Sequence, residues 1–180
     1  MEQQRFEKHF LMESVAFGIT DGIICFLSLI VGVARAASNP ILVITATIVG
    51  GIGDALGNSI GFFVSQATER AVQIYETQQG ANMRVHSKRE VWMSGVFSFL
   101  ATGVTLALLL APFAFLPLWP ATTFSFLIGT ISAFILGTYI GKLNNENPYK
   151  SGIKYACITI AGALISYFVG EALNFYLKIS

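Results

Sequence analysis

Residues Gly50 to Ser65 read GGIGDALGNSIGFFVS, a stretch inside a long apolar run that nevertheless holds a carboxylate, Asp54, and an amide, Asn58, one helical turn apart. Gly53, Gly57 and Gly61 recur at the same one-turn spacing. A charged side chain deep in an apolar span is expensive and marks function by default. A ladder of glycines lets a neighbouring helix approach closely. The stretch therefore reads as a membrane helix with a polar stripe beside a packing face, and that decides the fold class of the whole chain.

Composition agrees with this reading. Of 180 residues, 54% are hydrophobic and 12% charged, with mean hydropathy +0.65, against about 25% charged in an ordinary soluble domain. Five apolar segments, roughly 13–36, 41–66, 91–116, 121–142 and 151–177, each exceed the ~20 residues that a helix needs to cross a bilayer core. Helix is the spanning form, because strands would require a closed barrel and alternating polarity. The chain reads as one all-α transmembrane domain over 1–180, with 67–90 as a cytoplasmic helical connection: helix two extends to about Gln79, breaks at Gly80-Ala81-Asn82 and leads into helix three. Ser38-Asn39-Pro40 separates the first two spans, Pro112, Pro117 and Pro120 punctuate the third connection, and Asn144 to Pro148 precedes the last. The polar, mixed-charge N-terminus lacks the pattern of a cleaved leader, so the first span is expected to stay.

Charge sets the expected orientation. With the N-terminus inside, Arg5, Lys8, Arg70, Arg84, Lys88, Arg89, Lys142, Lys150 and Lys154 fall on the inner side and only Arg35 and Lys178 outside, nine against two. By the positive-inside rule the N-terminus is cytoplasmic and the C-terminus outside. Met83, His86 and Glu90 in the connection share a helical face by spacing. The basic residues around them favour an anchor at lipid phosphates over a metal-capture patch.

Depth then brings the polar groups together. Asp54 lies about 18 Å from the inner end of the second span and Asn58 about 12 Å. Asp21, on the ascending first span, is also about 12 Å in. If the glycine face of the second helix packs on the first, Asp21, Asp54 and Asn58 converge, with Cys25 and Ser28 continuing the stripe of Asp21. Glu13 at the inner mouth and Glu171 in the outer third complete a staircase of carboxylates suited to a cation or proton path. Cys25 and Cys157 lack metal-pair spacing and read as buried small hydrophobes.

Asp21-Gly22-Ile23-Ile24 followed by Phe26-Leu27-Ser28-Leu29-Ile30-Val31-Gly32-Val33 resembles the first-helix signature of the vacuolar iron transporter family. The opening stretch is similar to that family's second-helix motif, G-L-A-D-A-L-S-M-G-A-G-E-Y-L-S, and matches it at Gly51, Asp54, Ala55, Leu56, Gly61 and Ser65. Asn147 to Gly152 and Tyr167 to Gly170 are similar to a late helix of the family. The resemblance implies a five-helix homodimer that exports Fe²⁺ or Mn²⁺ from the cytosol in exchange for protons. It implies a site between the first helices of two protomers, with Asp21 as a ligand and Asp54 as a polar lining group. Asn58 stands where the family has Met, and Phe62 where it has Glu. Amide and carboxylate oxygens form a hard donor set, suited to Mg²⁺, Mn²⁺ or Fe²⁺. The separate metal-binding domain of iron-storing members has no room in 67–90, so the likeness is to the membrane portion alone.

The expected function is transport of a divalent cation, Fe²⁺ or Mn²⁺, across the cell membrane. That cation is cargo, and no resident cofactor is expected. The expected partners are lipid, the metal ion and a second copy. Two other readings stand beside it: a carrier of a non-metal small solute through a phenylalanine-lined path, and a membrane structural protein without transport. An enzyme is not expected, since the two histidines, His9 and His86, lie outside the spans and no nucleophile has a base beside it. Nor is a nucleic-acid partner, because the basic residues make only an ordinary positive-inside patch.

Overall fold

A computed structural model describes the backbone of residues 2–177 and the side chains of residues 12–176. Arg5, Lys8 and Lys178 thus fall outside the described side chains. Five helices follow one another: α1 (Glu2–Ala37), α2 (Pro40–Gln78), α3 (Lys88–Leu110), α4 (Leu118–Leu143) and α5 (Pro148–Leu177). All five are long and apolar enough to cross a membrane. Together with its family, set out below, this makes the chain a multi-pass membrane protein.

The turns follow from local chemistry. Asn39 caps α2 by accepting from the backbone N–H of Ile41 and Leu42, with Pro40 in the first turn. Ser38 takes a left-handed conformation (φ 49°) to reverse the chain. Ser87 and Glu90 form a reciprocal capping box at the start of α3. Asn147 Oδ1 accepts from the N–H of Tyr149 and Lys150 at the start of α5. The third helix ends at Leu110, short of the expected 116, because Pro112 forces a 3-10 turn over Ala111–Ala114.

Helix α1 is the axis of the bundle. It packs against each of the other four helices, and its Ile23, Phe26, Leu27, Ile30 and Ala34 are fully buried. Hydroxyls and small residues line its neighbours. Ser94, Ser98, Thr102 and Thr105 of α3 and Ser125 of α4 are buried. Thr105 returns its hydroxyl to the Ala101 carbonyl of its own helix, and Ser125 donates across to Leu109 O at 2.6 Å. Such bonds keep polar atoms satisfied where no water reaches.

Three expectations change here. A Cβ placed on Gly53, Gly57 or Gly61 would meet nothing within 4 Å, so this ladder faces away from the protomer and does not pack α2 on α1. The close approaches use other glycines. Gly50 and Gly51 meet Leu29 and Phe26 of α1, Gly18 and Gly22 meet α3, and Gly170 rests on the Gly32 carbonyl. The reason is that a small-residue ladder signals a close approach without saying to which helix. Second, the connection leaves the helix where expected but stays out of it longer. α2 continues to Gln78, the chain turns through Gly80 (φ 96°), and helix resumes only at Lys88. Met83, His86 and Glu90 therefore share no helical face. His86 lies against Gln73, which accepts its backbone N–H at 2.8 Å, while Glu90 pairs with Arg84. Third, Cys157 is exposed on α5 rather than buried.

One end of the bundle carries Arg70, Arg84, Lys88, Arg89, Lys142, Lys150 and Lys154, and the other carries Arg35. The first is termed the basic end below.

Candidate functional site

The α1–α2 seam holds the polar cluster. Asp21 is placed by a helix whose neighbours Gly22 and Ile23 are buried against α3 and α4, so its own side chain turns toward α2. On α2, Ala55 and Gly51 are buried inward, and Asp54 and Asn58 flank that face, half-buried. The Asn58 amide Nδ2 donates to Asp21 Oδ2 at 2.5 Å and to Asp54 Oδ2 at 3.2 Å. The Cys25 thiol, one turn along α1 from Asp21, lies beside the Asp54 carboxylate. Asp21 and Asp54 lie within reach of each other.

The depth argument set Asp21 level with Asn58 and Asp54 one turn further out, and in the structure the three meet. The electrostatics are particular. Two carboxylates face one another across a seam of low dielectric, where their repulsion is weakly screened. The amide's two N–H groups sit between them as a neutral bridge, each in a charge-assisted hydrogen bond. The amide nitrogen stands where a bridging cation would draw the same two oxygens together. Among the described residues, no group of three or more His, Cys, Asp or Glu is arranged to hold a metal ion. A single protomer therefore offers a partial donor set rather than a closed cage.

Not every expected residue joins. Ser28 turns toward Gly162 of α5 and leaves the stripe, because α5 crosses the outward end of α1 at Gly32 and Gly170. Glu171 is not a free step in a staircase. It forms an ion pair with Arg35 at the end opposite the basic one, and the Arg35 guanidinium lies over the Tyr167 ring, 5.6 Å from its centroid. Glu13 stays at the basic end, exposed, within electrostatic reach of Glu69 and His86.

Cys25, expected on the stripe of Asp21 and also as a buried small hydrophobe, is half-buried beside Asp54 and packs against the apolar core as well. One contribution escaped the sequence reading. Phe17 and Phe62 stack with ring centroids 5.1 Å apart, one turn before Asp21 on α1 and one turn after Asn58 on α2. The shared spacing from the polar pair could have announced that contact.

Comparison with known proteins agrees with this architecture. A model of the VIT family matches residues 12–88 and 74–171, two stretches that overlap in the α2–α3 connection and together span all five helices. The chain is also 26% identical over 165 residues to the uncharacterized protein MJ0645 of Methanocaldococcus jannaschii, covering 86% of each chain.

Proposed function

The chain belongs to the VIT family, and from that premise we propose that it carries a divalent metal cation, Fe²⁺ or Mn²⁺, out of the cytosol. VIT proteins are transporters, which supports carriage rather than catalysis. The observation that carries the cargo assignment is the meeting of Asp21, Asp54 and Asn58 on the α1–α2 seam. Two carboxylate oxygens and one amide oxygen are hard donors that suit small divalent ions. The exposed Gly53, Gly57 and Gly61 face lies on the same helix, and a second copy docked there would bring its own donors toward the cluster. The working unit in this reading is a homodimer whose site is completed by two chains.

The concentration of basic residues at one end supports an inside N-terminus. Proton exchange would use the same carboxylates, since a cation leaving the pair exposes two oxygens able to take up protons. Phe62, standing where the family has Glu, removes one further proton acceptor from the path.

The test is metal flux into proteoliposomes under an imposed pH gradient, comparing the natural protein with Asp21→Asn and Asp54→Asn. Each variant keeps the side-chain shape and removes one charge, and flux of Mn²⁺ or Fe²⁺ is expected to fall at least roughly tenfold, the loss expected when a ligand worth about 1.4 kcal/mol is removed. Undiminished flux in both variants would rule these residues out as the site.

One observation favours a second reading, transport of a small non-metal solute. The amide already satisfies both carboxylates, and an aromatic pair rather than a carboxylate lies beside them. Under that reading, no divalent ion raises the melting temperature of the protein in detergent, whereas cargo that binds the folded state must do so.

A further inference from the structure

Below the cluster, toward the basic end, lies a cavity of about 450 Å³ lined by Met12, Glu13, Phe17, Phe62, Tyr139 and Tyr155 among others. Glu13 and Met12 sit at its outer reach on α1. Phe17 and Phe62 line it toward the cluster, with ring centroids 5.1 Å apart and planes inclined at 32°. The polar cluster begins one helical turn beyond. Asp21 follows Phe17 by four residues on α1, and Asn58 precedes Phe62 by four on α2. Three layers thus follow one another along α1: a vestibule walled by α1, α4 and α5 with a carboxylate at its mouth, an aromatic layer shared with α2, and the paired carboxylates.

The two rings differ in freedom. Phe62 is 8% exposed and wedged among its neighbours, whereas Phe17 is 41% exposed. One ring is a fixed stop, and the other can swing about its own side-chain bonds. An apolar constriction of this kind excludes water and hydrated ions without any backbone closure. A cation in the vestibule would have to shed its water against two ring faces before reaching the oxygens of Asp21.

We infer that Phe17 and Phe62 form a hydrophobic gate that separates the vestibule at the basic end from the Asp21–Asn58–Asp54 cluster. The inference rests on the proposed path through that cluster, but its test needs no cargo. Cys25 lies at the cluster itself and is a built-in reporter of access. The chain has two cysteines, so a Cys157→Ser background leaves Cys25 as the sole thiol, with the exposed one removed.

The experiment measures the rate at which a charged, membrane-impermeant methanethiosulfonate modifies Cys25, followed by mass shift, with the reagent applied separately to each face of reconstituted vesicles. N-ethylmaleimide, which crosses the bilayer, reports in parallel that each variant is folded with a reactive thiol. From the basic face, modification is expected to be slow with both phenylalanines present and to quicken roughly tenfold in Phe17→Ala and in Phe62→Ala, as loss of a ring–ring contact shifts the population of the open state. Phe17→Leu, which keeps an apolar side chain, is expected to stay slow. Should Phe62→Ala fail to fold, Phe17→Ala decides alone, since that ring is largely exposed. Equal rates in the natural sequence and the alanine variants would overturn the gate. The labelling is read without metal, so undiminished flux in Asp54→Asn would remove the cargo assignment and leave the gate standing.

Discussion

Replacing Asn58 with leucine keeps nearly the same volume and removes the N–H groups that bridge Asp21 and Asp54. The amide makes one short and one ordinary hydrogen bond to these carboxylates, at 2.5 and 3.2 Å. Hydrogen bonds to charged groups contribute about 1.5–3 kcal/mol each. The cluster is only half-buried, so water and neighbouring groups recover part of that, and a net loss of about 2–3 kcal/mol is expected. For a chain of this size, that corresponds to a fall in melting temperature of roughly 5–10 °C. Asn58→Asp is the sharper variant. It places a third carboxylate where the donor was, and without metal it should be less stable than the leucine variant. Adding Mn²⁺ should reverse the order. At a free concentration a hundredfold above the dissociation constant, binding stabilises the folded state by about 2.7 kcal/mol, comparable to the loss. The assay is thermal unfolding in detergent followed by tryptophan fluorescence, with and without Mn²⁺. A leucine variant as stable as the natural protein would refute the bridging role of the amide. An aspartate variant that loses stability but gains none from Mn²⁺ would refute a divalent-cation site while leaving the bridge intact.

Three other substitutions probe the surroundings. Gly57→Leu meets open space within the protomer, so the folded monomer should keep its melting temperature, while light scattering shows the dimer shifted toward monomer if a second copy docks there. An unchanged dimer would place the interface elsewhere. Gly170→Leu drives a side chain into the Gly32 carbonyl, and overpacking of that kind should cost about 1–3 kcal/mol, read as a lower temperature for loss of the monodisperse peak in detergent. Arg35→Gln removes the ion pair with Glu171 at the end opposite the basic one. Such partly exposed pairs contribute about 0–1 kcal/mol, so flux should stay within roughly twofold, and a collapse like that expected of Asp54→Asn would put Glu171 back on the path.

The reach of the sequence is best judged at α1 and α2. The breaks at Ser38-Asn39-Pro40 and Asn147-Pro148 were legible because capping and proline chemistry are local. The level at which Asp21 meets Asn58 was legible because helix rise converts residue number into depth. Rotational facing was not. In water, a helix declares its buried side through amphipathic periodicity. Here lipid and protein interior are both apolar, so Gly53, Gly57 and Gly61 could not say that they turn outward. The Arg35–Glu171 pair was hidden for another reason, since it joins helices far apart in sequence at an end where depth alone allowed Glu171 to stand free.

The α1–α3 seam carries a last consequence. Gly18 and Gly22 lie against Ser98, Ala101, Thr102 and Thr105, residues whose side chains scarcely stand above the helix surface. Helices resist sliding because tall side-chain ridges sit in deep grooves of the neighbour. Along this seam the relief is shallow and the hydroxyl of Thr105 is engaged by its own backbone, but the Thr102 hydroxyl donates across it to the Gly18 carbonyl at 3.2 Å. The seams on either side are tied by longer side chains, Asn58 toward α2 and Asn174, which donates to the Ala36 carbonyl, toward α5. The bundle thus has a smooth track at its centre that a hydroxyl pins, and an axial displacement of α3 along α1 has the Thr102–Gly18 bond to exchange rather than tall ridges to climb.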